Sequence, residues 1–286
     1  MPAECGPVPS ACGFPDGTNT GVPRGTTLLS VPGQVSSGPG WAFDAAHGVV
    51  EVTGSNVALS GLYIPYNLDI SGSDVTIKDS RVVTAGNFGI SLRHTTGVTI
   101  EDSTIGGSNA ATGRVGVAIT DVYGDSAGIV IENDNISDFK TAVQVSTGTV
   151  TGNYIHDPGY VTGDHTNGIF DTGSVQPLTI DHNTILNSNG QTDAVSLDAT
   201  IGGQTIANKT VENNLLAGGG YTIYGGASLG NITSNILVEH NRFSRLYYPD
   251  AGQFGPVTCF DSRGAGNVWT GNVWDGPAEA SAIPPP

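Results

Sequence analysis

Between Tyr154 and Gly173 the chain reads YIHDPGYVTGDHTNGIFDTG, which places His156, Asp157, Asp164, His165 and Asp171 within 16 residues. Asp193 and Asp198 follow one phrase later. Paired carboxyl groups suit glycoside hydrolysis, where one is protonated as the acid and the other is ionised as base or nucleophile. A histidine next to a cation suits lyase chemistry on uronates. The base removes a proton beside the sugar carboxylate, and the cation holds the developing charge. His165, Asp193 and Asp198 are the candidate catalytic residues. A Ca²⁺ held by Asp164 and Asp193 is one candidate cation, and an arginine such as Arg242 or Arg245 is the other. The same acids also have a plainer reading. Asp and Asn favour turns, so Asp157 and Asp164 suit turn chemistry and His156 suits a corner. Asp171 falls at an inward position, as a buried hydrogen-bonded acid or as a sign of slipped register.

Other chemistry has little to stand on. There is no P-loop, no dinucleotide fingerprint in a βαβ setting, no G-x-S-x-G and no zinc-spaced Cys/His set. The glycines of GGGYTIYGG lie between strands with no following helix, so they read as a tight corner and not as a phosphate cradle. A formal charge of −16 repels nucleic acid and anionic membrane faces. No segment is long and apolar enough to span a bilayer. The opening MPAECGPVPS has neither a basic start nor an apolar run, so it is not expected to be a signal peptide. A mature secreted chain and a component that reaches the outside without such a signal, as in a virion, both fit. Of three cysteines, Cys5 and Cys12 are close enough to form a small disulfide loop, and Cys259 is expected to be a buried free thiol.

The elements that would position these residues repeat. NVALSGLYI (56–64), DVTIKDSRV (74–82), GVTIEDSTI (97–105), GIVIENDNI (128–136), GTVTGNYI (148–155), PLTIDHNTI (177–185), NKTVENNLL (208–216), NILVEHNRF (235–243) and GNVWTGNVW (266–274) share one pattern. Apolar and polar residues alternate, an Asx-rich corner follows, and an apolar residue closes the phrase. The fixed core and variable spacing predict an all-β, single-domain, right-handed parallel β-helix of about nine coils. A second strand in each coil puts Ser91, Ala118, Gln144, Phe170, Ser196, Tyr224 and Thr258 in one outer column. Asn167, Asp193 and Tyr221 stack beside it. Phe170, Tyr221, Tyr224 and Asn167 are thus the candidate substrate-binding residues, on the same flank as the acids. Ser80, Ser103, Asp134, Asn153, Asn183, Asn214, Asn241 and Asn272 share one corner, where Asn suits a left-handed bend and stacked amides bond along the axis. His182 and His240 fall in a neighbouring column with Asp79, Asp102, Asn133 and Asn213, as surface turn residues. Glu101, Glu132, Asp181, Glu212 and Glu239 form a solvated acidic stripe. The expected layout is a Gly/Pro-rich lead and cap over 1–40, the β-helix over 41–275 and a flexible tail over 276–286. Trp41 and Phe43 would plug one end, and Trp269 and Trp274 the other.

The lead ACGFPDGTNTGVPRGTTL, the stretch NNLLAGGGYTIYGG (213–226) and the ending GNVWD (271–275) resemble a group of actinobacterial and actinobacteriophage proteins with right-handed parallel β-helix repeats. Members are broadly pectate-lyase-like, and those in phage genomes tend to be called minor tail proteins. The resemblance implies an extracellular, glycan-facing setting without an agreed reaction. Many relatives carry an H-x-D-G-I-Q-like phrase where this chain has His165-Thr166-Asn167-Gly168-Ile169-Phe170. Loss of the acid and of the Gln puts catalysis in doubt.

The expected function is therefore a bacteriophage minor-tail component that binds a cell-envelope polysaccharide or glycolipid alongside other tail proteins. A secreted polysaccharide lyase or glycoside hydrolase is the alternative, and a purely structural spacer is the second. No cofactor is expected beyond a possible Ca²⁺. No nucleic acid and no membrane insertion are expected.

Overall fold

The computed structural model describes residues 4–109, 112–198, 202–276 and 281–285. It is all-β apart from a four-residue 3₁₀ turn at Pro9–Cys12. Three sheets of ten, eleven and nine strands, parallel apart from two strands at one end of the eleven-stranded sheet, form a parallel β-helix. Each repeating phrase supplies two strands around its corner, such as Leu178–Asp181 and Thr184–Asn187, and the strand that follows, such as Thr192–Ser196, lies on the third sheet. Alternation along the first strand sends Leu178 and Ile180 inward and leaves Thr179 and Asp181 half-buried outside. Stacked Val, Ile and Leu fill the bore, including Ile64, Ile77, Ile100, Ile136, Val150, Ile180, Val211 and Val238.

The corner uses two adjacent residues for two jobs. The left-handed backbone falls on Asp79, Asp102, Asn133, Gly152, His182, Asn213, His240 and Gly271, with φ between 49° and 68°. The Asn column was expected to make that bend, yet it sits one residue later and turns inward. Asn153 Nδ2 donates to Asn183 Oδ1 at 2.9 Å, Asn183 to Asn214 at 3.0 Å, Asn214 to Asn241 at 2.9 Å and Asn241 to Asn272 at 3.0 Å. Each Oδ1 also accepts a backbone N–H from the neighbouring coil, as Asn183 Oδ1 does from Asn153 at 2.9 Å. The amides thus satisfy donors and acceptors that a buried corner would otherwise strand.

The ends are closed by the termini. An antiparallel meander of Ser37–Gly38, Trp41–Asp44 and Val49–Val52 caps one edge and joins the sheet in parallel through Val49–Val52, with Trp41 buried and Phe43 4.6 Å from Tyr66. At the other end Trp269 packs 5.5 Å from Phe260, and its Nε1 donates to Ile283 O at 2.8 Å. Ile283 is 4% exposed. The flexible tail expected over 276–286 is corrected at Ser281–Ile283, because Trp274 N donates to Ser281 O and Ile283 N to Asn272 O. Residues 277–280 and Pro286 of that tail lie outside the described residues.

The lead does more than cover one end. Cys5 and Cys12 are joined by a disulfide. Just before that turn, Cys5 N and Gly6 N donate to the buried Asp275 carboxylate in the last coil, at 2.8–3.0 Å. Phe14 then stacks 5.8 Å from His182, Gly21 N donates to Asn133 O, and Leu29 pairs with Leu62 in the first coil. The lead is a strap running along the corner from the last coil to the first. Cys259 is half-buried at φ 56° just past its strand, which corrects the expected buried thiol.

Candidate functional site

On the eleven-stranded sheet, strict alternation would put residues 167 and 170 on opposite faces. Instead two successive residues are buried in each strand: Ala142–Val143, Gly168–Ile169, Ala194–Val195 and Thr222–Ile223. The first of each pair is small, so both fit against the bore. Asn167 and Phe170 therefore both line the outer flank. Parallel register stacks Thr141, Asn167 and Asp193 in one column. It stacks Gln144, Phe170, Ser196, Tyr224 and Thr258 in the next. The expected stacking holds with one correction, and its Ser91 end is buried. Thr120, not Ala118, continues it towards Ser91, because the seven-residue strand Val115–Asp121 pairs two residues further along than its glycine suggests. Ala118 is buried.

The two columns form a cleft of about 310 Å³ holding His165, Asn167, Phe170, Asp193, Asp198 and Tyr224. Phe254 closes the far side, and Tyr221 sits 5.9 Å from Phe254 and 5.8 Å from Tyr224, edge-on to the latter. Phe254 was not singled out in the sequence. It reaches the cleft on the loop after Arg242–Phe243, fixed by Phe254 N donating to Gly220 O at 2.7 Å. The rim is built from Gly190, Gln191 and Thr192. Thr192 adopts φ 70°, a costly conformation for a β-branched residue. Its Oγ1 donates to Thr166 O, and Asn187 Nδ2 donates to Asp193 O at 2.7 Å and Thr166 O at 2.8 Å. This strained and heavily bonded turn sits directly before Asp193.

Asp193 is 2% exposed, and its Oδ1 has no hydrogen-bond partner. Burial, and after it the charge of Asp198, pushes its pKa well above the ordinary carboxylate value. Asp198 also has an unpartnered Oδ1. Burial raises its pKa against the opposing pull of Ser228 and Gly226. Burial and the two nearby acids push Tyr224 up to about 12. The cleft floor thus holds two carboxyl groups biased towards the protonated form, with aromatic faces around them. Such a pair can hold a proton above the usual carboxylate range beside the aromatic faces.

Other candidates disperse. His165 is exposed at the cleft edge. The Asp164 carboxylate is taken by Arg114 and by Val161 N at 2.9 Å, and Asp164 is not among the residues lining the cleft of Asp193. Among the described residues no three His, Cys, Asp or Glu side chains converge as metal ligands. Arg242 reaches Gly276 O at 3.3 Å, and Arg245 lies 3.9 Å over the Trp274 ring, so neither serves this cleft. His156 is held between Asp157 at 2.7 Å and Asn135 at 3.1 Å and stacks on Tyr154. Asp171 is a buried acid paired with Lys209 at 3.1 Å, which resolves the question over its register. Asn167 Nδ2 is engaged by Thr141 Oγ1 at 3.2 Å. No protein family, no curated protein and no solved structure matches the chain.

Proposed function

We propose that the chain engages a cell-envelope glycan, polysaccharide or glycolipid, in the flank cleft, as a phage minor-tail component at the virion surface. One observation carries the glycan reading: Phe170, Tyr224 and Phe254 line one open cleft with the buried Asp193 and the half-buried Asp198, each of which has an unpartnered Oδ1. Aromatic faces pack on the apolar faces of sugar rings, and carboxyl oxygens accept from ring hydroxyls. The virion setting is supported by the resemblance of the lead, of NNLLAGGGYTIYGG and of GNVWD alone. A secreted location fits the same cleft.

Glycosidic hydrolysis is the second reading, favoured by the raised pKa values of Asp193 and Asp198. The more buried Asp193 would protonate the leaving oxygen as the C1–O bond breaks, and the less buried Asp198, once ionised, would take a proton from the attacking water. The lyase reading keeps His165 at the cleft edge but not Arg242 or Arg245, because both arginines lie against the last coil. Incubation with purified envelope glycans and uronate polymers separates these readings. Retention without products supports binding. New reducing ends support hydrolysis, and unsaturated sugars support the lyase. Neither retention nor product leaves a structural spacer.

A further inference from the structure

The cleft continues past Phe170 onto the preceding coils. A second depression of about 560 Å³ shares His165, Asn167 and Phe170 with it, and is also lined by Arg114, Lys140 and Gln144. From the strand of Lys140 to that of Tyr224 the groove crosses three strand spacings, about 14 Å, enough for a short oligosaccharide to lie along it.

The charge of this depression is unusual for the molecule. The chain has 10 Lys and Arg against 26 Asp and Glu, yet two of the cations line this one hollow. Arg114 is fixed there, its Nη1 donating to Asp164 and to Gly159 O at 3.0 Å. Lys140 is half-buried and joins no ion pair and no side-chain hydrogen bond among the described residues. Asp164 is the acid that feels it, and that carboxylate is already paired with Arg114. Burial, and after it the charge of Asp157, raises the pKa of Asp138, two residues before Lys140, against the pull of His156. Two cations against one acid leave a local excess of positive charge in a chain of net charge −16. The overall field repels anions, so only a local, walled positive site can hold one.

We propose that Lys140 and Arg114 form an anion subsite, and that the glycan held in the cleft carries an acidic substituent docked there. The shared chemistry is an oxyanion: a uronate carboxylate, a sulfate ester or a phosphodiester. Arg114 supplies a fixed planar donor and Lys140 a mobile point charge. The inference rests on the glycan reading and names the class of glycan.

The test measures retention of the full chain on immobilised polygalacturonate, dextran sulfate, a glycerol-phosphate polymer and neutral dextran. Wild type, Lys140→Gln and Phe170→Ala are compared, with thermal midpoints confirming that each is folded. The expected result is retention on at least one of the three acidic polymers and not on dextran. Both variants should weaken it about tenfold, and added salt should weaken the wild type further. The polymer retained identifies the oxyanion. Equal retention of acidic and neutral polymers, unchanged in Lys140→Gln but lost in Phe170→Ala, overturns the subsite and leaves the glycan cleft standing. Retention that depends on Lys140 and not on Phe170 overturns the cleft, and the subsite as part of it. No retention on any polymer overturns both.

Discussion

Lys209 Nζ lies 3.1 Å from the carboxylate of Asp171, with both side chains fully buried. Ser146 O and Gln176 O, each at 2.8 Å, and Ser174 Oγ at 3.0 Å complete an oxygen cage around the ammonium. Burial drives Asp171 up and Lys209 down in pKa, and each opposes the shift of the other. Removing one partner strands a buried charge. Lys209→Met should therefore cost about 3–5 kcal/mol, whereas Lys209→Met with Asp171→Leu should recover most of it. Urea unfolding of the two variants checks this, and a double variant no more stable than the single one would speak against the pair.

Asp134 interrupts the amide ladder. It stands in the Asn column with its Oδ2 buried and unpartnered, while its Oδ1 accepts from Ser103 N at 2.7 Å. Burial raises its pKa well above the ordinary value. The sign follows from linkage. The unfolded chain releases this proton near pH 4, whereas the folded chain keeps it to higher pH, so stability falls as pH rises between the two values. Asp134→Asn supplies the missing donor without a charge. It should raise stability at pH 7.5 by about 1–3 kcal/mol, a gain that shrinks as pH approaches 4. Thermal midpoints across that range test it.

The strap is anchored by Asp275. Asp275→Ala leaves Cys5 N and Gly6 N without their acceptor. A loss of about 2 kcal/mol is expected. Hydrogen exchange should rise in the lead before Cys12 and in the last coil, while Leu29 and the first coil stay protected. Uniform exchange changes would mean that the lead has no separate anchor.

If the cleft hydrolyses its glycan, the rate depends on one carboxyl staying protonated. Burial raises both Asp193 and Asp198, so the protonated form persists above the usual carboxylate range. Release of reducing ends should then decline only as pH climbs through those raised values. Asp193→Asn should reduce the rate by about 10²-fold or more while glycan retention survives. A rate that falls through the ordinary carboxylate range near pH 4 would exclude the buried pair as the acid.

The fold was legible because each coil restates the same alternation, and errors at single positions do not propagate. The Phe170, Ser196 and Tyr224 column could be counted because Gly168, Ala194 and Thr222 stand at comparable positions two residues before it. Ala118 was misplaced because Gly116 offers the long strand a second alignment two residues away. Lys209 left a signal that passed unused: a lysine at the inward position held by Leu178 and Ile236 in adjoining phrases, in the coil after an inward Asp171. The strap left almost none. Its Gly- and Pro-rich residues have no period, and its contacts fall on Asp275, Asn133 and Leu62, far apart in sequence. Phe254 was missed for a related reason, since a loop residue enters the cleft through tertiary placement alone.

The most direct test of the glycan cleft is retention of Phe170→Ala and Tyr224→Ala on the envelope glycan that the wild type binds. Both side chains are half-buried on the outer face, so the thermal midpoint should stay within a few degrees. The account predicts retention at least about tenfold weaker in each variant. Retention equal to wild type in two folded variants would contradict it.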